Sequence, residues 1–211
     1  MDPAFAELDR LARDSAWRAP GRPFSALARA IAGQQISVKA AASVWGRVLV
    51  AAGATADQPP GAKAIRDLGL DVLRSCGLSQ RKAEYMHALA DHFLQPEFSE
   101  QRLHQQPDHE IVTQLTAIRG IGVWSVEMFL MFHLHRPDVL PVGDLGLRAA
   151  AGSLFGDGAA MPAAPLRQLA ATWRPQATAA TWLLWRYLEL DEAGRAAVRA
   201  CSRSHAAARH N

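Results

Sequence analysis

The chain has 211 residues, enough to bury a proper core as one large domain or two small ones. Apolar residues make up 49%, but much of that share is Ala and only two Tyr occur, so helix is favoured over sheet. The net charge is +3, and its position matters: residues 1–110 carry 13 basic and 13 acidic side chains, residues 111–211 carry 10 and 7. A small excess fits a local anion-binding face better than a coat for a long polyanion, although an ordinary solvated surface looks the same. Cys76 and Cys201 lack metal-ligand spacing, which excludes a disulfide framework and a cysteine-bound iron–sulfur cluster and leads us to expect a reduced, cytoplasmic setting. Neither a signal peptide nor a membrane span is expected: Met1-Asp2-Pro3-Ala4-Phe5 lacks a basic region followed by an apolar core, and no apolar run reaches 18 residues.

The first clear helical face is Phe24, Leu27, Ala28 and Ile31, an i, i+3, i+4, i+7 pattern. Gly33-Gln34-Gln35-Ile36-Ser37 interrupts it, and Ser37 is placed to N-cap a run from Val38 to Val50. Gly53 to Gly61 reads as a loop, Ile65 to Cys76 as a short helix ending at Gly77, and Ser79 as the cap of a helix through Lys82, Met86, Leu89 and Phe93. A polar stretch with Pro96 and Pro107 leads to a helix with Ile111, Leu115 and Ile118. After Gly122 the run Trp124, Val126, Met128, Phe129, Leu130, Met131, Phe132 and Leu134 is apolar on nearly every face, as in a buried helix. Gly152 to Pro165 reads as a loop, Leu166 to Trp173 and Ala177 to Leu190 as closing helices, and the basic segment 195–211 as a frayed, flexible tail. The fold class is all-α, about ten helices in one domain over 1–211, with a core of about 20–190 and a hairpin at about 111–134.

Ile118-Arg119-Gly120-Ile121-Gly122-Val123-Trp124-Ser125 is the stretch richest in chemistry. Glycine at 120 and 122 allows positive φ and close approach of another molecule. The helix beginning at about Val123 offers backbone N–H groups and a dipole to an anion such as phosphate, and Ser125 adds a hydroxyl. A plain helix–turn–helix corner without a ligand is the competing reading. Asp144 follows Gly122 by 22 residues, in Leu140-Pro141-Val142-Gly143-Asp144-Leu145-Gly146, where it can cap the next helix, present a reactive carboxylate, or do both.

Leu115 to Ser125 resembles the helix-hairpin-helix of the superfamily of base-excision DNA glycosylases named for that hairpin and its Gly/Pro-rich Asp segment. Pro137 to Gly146 is similar to the segment carrying its essential aspartate. Gly33 to Ala41, Gly77 to Ala83, Trp173-Arg174-Pro175 and Trp185 resemble further blocks, in order, from about Phe24 to Leu190. Together they point to the AlkA-like 3-methyladenine glycosylase II branch. The resemblance implies two lobes with the active-site cleft between them, lacking the N-terminal β-domain of longer relatives, in a monomer that binds double-stranded DNA containing damaged bases and is nucleoid-associated when bound.

It also implies roles. Asp144 would be catalytic, because breaking an N-glycosidic bond builds positive charge on the sugar that a fixed carboxylate stabilises. No second carboxylate is needed if the leaving base is an already cationic alkylated purine. Trp124 stands where bifunctional relatives carry a Schiff-base lysine, which implies hydrolysis without strand cleavage. Trp124 and Trp185 could face a flipped base or simply pack in the core; Met128 replaces a pocket Tyr of some relatives. Gln35 would fill the gap left by the extruded nucleotide, or else be an ordinary polar loop residue. Gly120, Ile121, Gly122 and Ser125 would contact the DNA backbone. The carbonyls of Thr116, Ile118 and Ile121 would hold a structural Na+ or K+, with no cofactor for catalysis. After Pro175 the chain departs from the family: Gln176-Ala177-Thr178 stands where an aromatic, an Arg and a small hydroxyl residue are usual. The remaining rival is a non-catalytic helix-hairpin-helix module that only binds DNA. His87 with His92, and His133 with His135, have the wrong helical spacing for metal ligands.

Overall fold

The structure, a computed structural model, describes residues 3–11 and 22–208. Among these residues there are thirteen α-helices, one 3-10 turn and no strand. The chain forms two compact units, Ala19–His135 and a second built from Met1–Arg18 together with Arg136–Asn211.

The first unit holds α2 (Pro23–Gly33), α3 (Val38–Ala51), α4 (Ala62–Asp67), α5 (Leu70–Ser75), α6 (Gln80–Phe93), α7 (Glu100–Gln105), α8 (Asp108–Thr116) and α9 (Val123–Phe132). Its local signals read as written. Pro23 opens α2 at a position where a missing N–H costs nothing. Ser37 and Ser79 accept from the N–H groups of Ala40 and Lys82, each at 3.3 Å, and so start α3 and α6. Gly77 closes α5 at φ +96°. The expected helix over 65–76 is two helices, because Gly69 in extended conformation interrupts it and starts α5. Phe24, Leu27, Ala28 and Ile31 are all buried, and α2 packs against α3, α6 and α9.

The other unit holds α1 (Pro3–Leu11), α10 (Leu145–Phe155), α11 (Ala163–Ala170), the 3-10 turn Ala171–Trp173, α12 (Ala177–Glu189) and α13 (Glu192–Ala208). Phe5, Leu8, Leu147, Trp173, Leu184, Tyr187 and Val198 belong to one buried cluster. The Phe5 ring meets the Trp173 edge at 5.7 Å between centroids. The expected frayed tail is corrected here: α13 continues to Ala208, buries Val198 and packs on α1. Arg199 donates to the Tyr187 hydroxyl at 3.1 Å and pairs with Glu192, so a charge read as tail-like is tied into the helix. Residues 209–211 of that expectation lie outside the described residues.

Candidate active site

In the first unit the hairpin is α8, the turn Ala117–Gly122 and α9. The N–H of Ile121 donates to the Ile118 carbonyl at 3.1 Å, closing the turn, and α9 starts after Gly122. The two glycines do different work. Gly120 sits at φ +95°, and a Cβ there would lie 2.2 Å from Cγ of Tyr85 on α6. Gly122 has φ −98° and ψ 166°, so the expectation of positive φ at both glycines holds only for Gly120. A Cβ on Gly122 would meet nothing within 4 Å. It is exposed and leaves open space before the first N–H groups of α9, which lack intrahelical acceptors and carry the positive end of the dipole. The geometry suits an anion approaching the backbone.

The flanks of this turn partly correct the sequence expectations. Ile121 and Ser125, expected beside the DNA backbone, are both buried. The start of α9 is not core: Val123 is 53% and Trp124 49% exposed, while Val126, Phe129, Leu130 and Met131 are buried. Core packing therefore does not account for Trp124. Met128 is half-buried. Arg119 lies over the Tyr85 ring at 5.6 Å and pairs with Glu84 at 3.5 Å.

Gln35 comes to this same place. The Gln34 side chain donates to the Gly120 carbonyl at 2.9 Å, bringing the α2–α3 loop beside the turn from 86 residues away. Gln35 is exposed at φ +58°, a conformation rare for a non-glycine residue. Sequence reading singled out Gln35 but not Gln34, Tyr85 or Lys82, which fix its surroundings. No local pattern marks them, since each acts across the fold.

Behind α9, His133 stacks on Phe129 with ring centroids 5.0 Å apart. Burial pushes its pKa down to about 4, helped by the nearby His104 and His135. It is a core histidine, whereas His87 is half-buried, its Nε2 meeting the Leu68 carbonyl at 2.7 Å. No group of three His, Cys, Asp or Glu residues among those described could hold a metal ion.

In the other unit, Asp144 ends a tight turn, its N–H donating to the Pro141 carbonyl at 2.9 Å. One carboxylate oxygen, Oδ1, accepts from the Leu147 N–H at 2.6 Å and from the indole N–H of Trp185 at 2.9 Å. Cap and oriented carboxylate are thus the same atom. Trp185 on α12 is half-buried, and what the structure assigns it is a hydrogen bond to Asp144. Gly146 makes room for that bond: a Cβ there would press within 3.2 Å of Asp144 Oδ1 and 3.4 Å of the indole.

The segment before Asp144 is pinned to the start of α12. The buried Thr178 hydroxyl donates to the Arg136 carbonyl at 2.7 Å and accepts from the Val139 N–H at 2.9 Å. Asp138 accepts from Arg174 at 2.6 Å and from the Ala177 N–H at 3.2 Å. The Thr178 hydroxyl therefore ties the start of α12 to the segment before Asp144.

The family model described as "HhH-GPD superfamily base excision DNA repair protein" matches residues 28–175. The chain belongs to this superfamily. It is 32% identical over 175 residues to DNA-3-methyladenine glycosylase 1 of Schizosaccharomyces pombe, covering 81% of this chain and 74% of that protein. Among solved structures it is similar to a DNA-3-methyladenine glycosidase from Bacillus halodurans (TM-score 0.73, 30% identity, 88% of this chain and 90% of that one). The S. pombe 3-methyladenine DNA glycosylase Mag1 in complex with abasic DNA gives a TM-score of 0.71 at 30% identity, over 89% and 97% of the two chains.

Proposed function

We propose that this protein is a monofunctional DNA glycosylase of base-excision repair that hydrolyses the N-glycosidic bond of alkylated purines turned out of duplex DNA. The observation that carries the chemistry is the Asp144 carboxylate, held by the Leu147 N–H and the Trp185 indole. A carboxylate fixed in advance stabilises the positive charge that grows on the sugar as the bond breaks, without reorganising during the reaction. It can also orient the attacking water and take its proton. A base already cationic through alkylation leaves without prior protonation, which fits purines of the 3-methyladenine and 7-methylguanine class. The relatives named above carry the 3-methyladenine name and support this choice.

The Gly120–Gly122 turn holds the DNA backbone, work that is blind to sequence. Gln35 fills the place of the displaced nucleotide. Trp124, half-exposed at the start of α9, offers an aromatic face to an electron-poor base and no amine for a Schiff base. A monovalent cation on the carbonyls of Thr116, Ile118 and Ile121 belongs to the same reading. The Ile118 carbonyl accepts one hydrogen bond and keeps a second lone pair, and neutral backbone carbonyls suit such an ion. No catalytic step passes through it.

The test is base release from duplexes carrying 3-methyladenine, 7-methylguanine, ethenoadenine, hypoxanthine or uracil, beside an Asp144→Asn control. We expect release of the cationic purines, an intact abasic strand without cleavage, and a loss of at least about 10³-fold in Asp144→Asn with abasic-DNA binding retained. No release from any duplex would sink the enzyme reading and leave a DNA-binding module. Strand cleavage by the wild-type chain would overturn the monofunctional one.

A further inference from the structure

Lys82 is a cation in an unusual place. It lies in the first turn of α6, where a positive charge works against that helix's own dipole. Its ammonium reaches across to the end of α2 instead, donating to the Ala32 carbonyl at 3.0 Å and the Gln34 carbonyl at 2.6 Å. The last turn of α2 has no basic residue of its own, so Lys82 supplies the charge from a neighbouring helix. The side chain is half-buried, and the desolvation this brings lowers its pKa. Two unfavourable placements, against a dipole and out of water, meet in one residue.

What Lys82 holds is the loop that carries Gln35. The main chain of Gln34 is fixed from one side by Lys82, while the Gln34 side chain is fixed from the other by the Gly120 carbonyl. Gln35 follows directly, exposed and at φ +58°. A strained residue keeps such a conformation only where its surroundings over-determine it. We propose that Lys82 and Gln34 act as a clamp that locks Gln35 outward beside the Gly120–Gly122 turn, so that Gln35 is already poised for insertion when that turn captures the DNA backbone. Lys82 is in this sense a positioning residue for the duplex-distorting step. The proposal rests on the glycosylase reading for the identity of the ligand.

The experiment uses a duplex with a stable abasic analogue and 2-aminopurine beside it, whose fluorescence reports insertion without bond cleavage. Anisotropy on the undamaged duplex measures backbone capture alone. Lys82→Met and Gln34→Leu should each lose about 10-fold of the preference for the abasic duplex, with much of the fluorescence change, while undamaged-duplex affinity stays within about 3-fold. Lys82→Arg, which keeps charge and donors, should recover most of both signals. Full preference in both variants overturns the clamp. So does an equal loss on both duplexes, which a merely structural role would give, and so does a parent chain with no abasic preference. If Lys82→Met does not fold, Lys82→Gln and Gln34→Leu decide. Failure of the glycosylase reading shows separately, as absence of base release by the parent chain.

Discussion

The Gly120–Gly122 turn and the Gly143–Asp144 turn both end at the start of a helix, yet they are built on opposite principles. The first presents backbone: its key residues lack side chains, one because Tyr85 fills the space and one because open space is left in front of it. The second presents a single side-chain oxygen, fixed by a backbone donor and an indole donor. Holding a phosphate asks for many weak, sequence-blind donors and room to approach. Stabilising a cation in transit asks for one charge in one place. The contrast shows why substitutions at these two turns should fail in different ways.

The largest expected effect breaks the second turn only. Asp144→Asn should abolish measurable base release while melting and abasic-DNA binding change little, since an amide oxygen can still cap α10. Gly120→Ala should damage the first turn through folding. The added methyl meets Tyr85 and the backbone is forced at positive φ, together costing about 3 kcal/mol in urea unfolding. Adding Tyr85→Ala should recover only part of that, because the φ strain remains; full recovery would refute the conformational half of the argument. Trp185→Phe should slow base release about 10-fold or more with binding unchanged, the worth of a hydrogen bond to a charged acceptor. An unaltered rate would show that the Leu147 N–H alone suffices.

Gly122→Ala sharpens the comparison further. It should leave stability unchanged or slightly raised and weaken duplex binding about 10-fold, because the methyl faces only the incoming ligand. Last comes pH, which tests the hairpin unit alone. His133 has its folded pKa depressed to about 4 from 6.5. The unfolded chain therefore binds the extra proton between those values, and stability falls as pH drops from 6.5 towards 4. The dipole at the end of α9 favours a cation there, but burial outweighs it. The contribution amounts to about 3 kcal/mol, and His133→Gln should reduce the pH dependence of unfolding across that window, leaving the smaller part due to His92, whose pKa burial also lowers.

Sequence legibility divides along the same line. Ser37, Ser79 and Gly77 announced their helix ends because a cap is chemistry within four residues. The turn and Asp144 were visible for the same reason, and their order along the chain carried the family. What could not be read was whatever acts at a distance: Tyr85 beneath Gly120, Gln34 on the Gly120 carbonyl, and Trp185 on Asp144 from 41 residues away. Trp124 was hard for another reason. An apolar helix start looks like core by composition, and only its exposure separates the two. The segment from Arg195 read as a tail because its charges look solvated, whereas Val198 and the Arg199–Tyr187 bond tie it down.

The pairing of α1 with α12 and α13 sets an order of events at the ribosome. Phe5 and Leu8 are made long before their partners Trp173, Leu184 and Val198. The unit Ala19–His135 is one uninterrupted stretch and can finish while they wait. The nascent chain thus carries the apolar face of α1 uncovered until Trp173, Leu184 and Val198 have been made, and a chain released before Val198 lacks the part of that cover which α13 supplies.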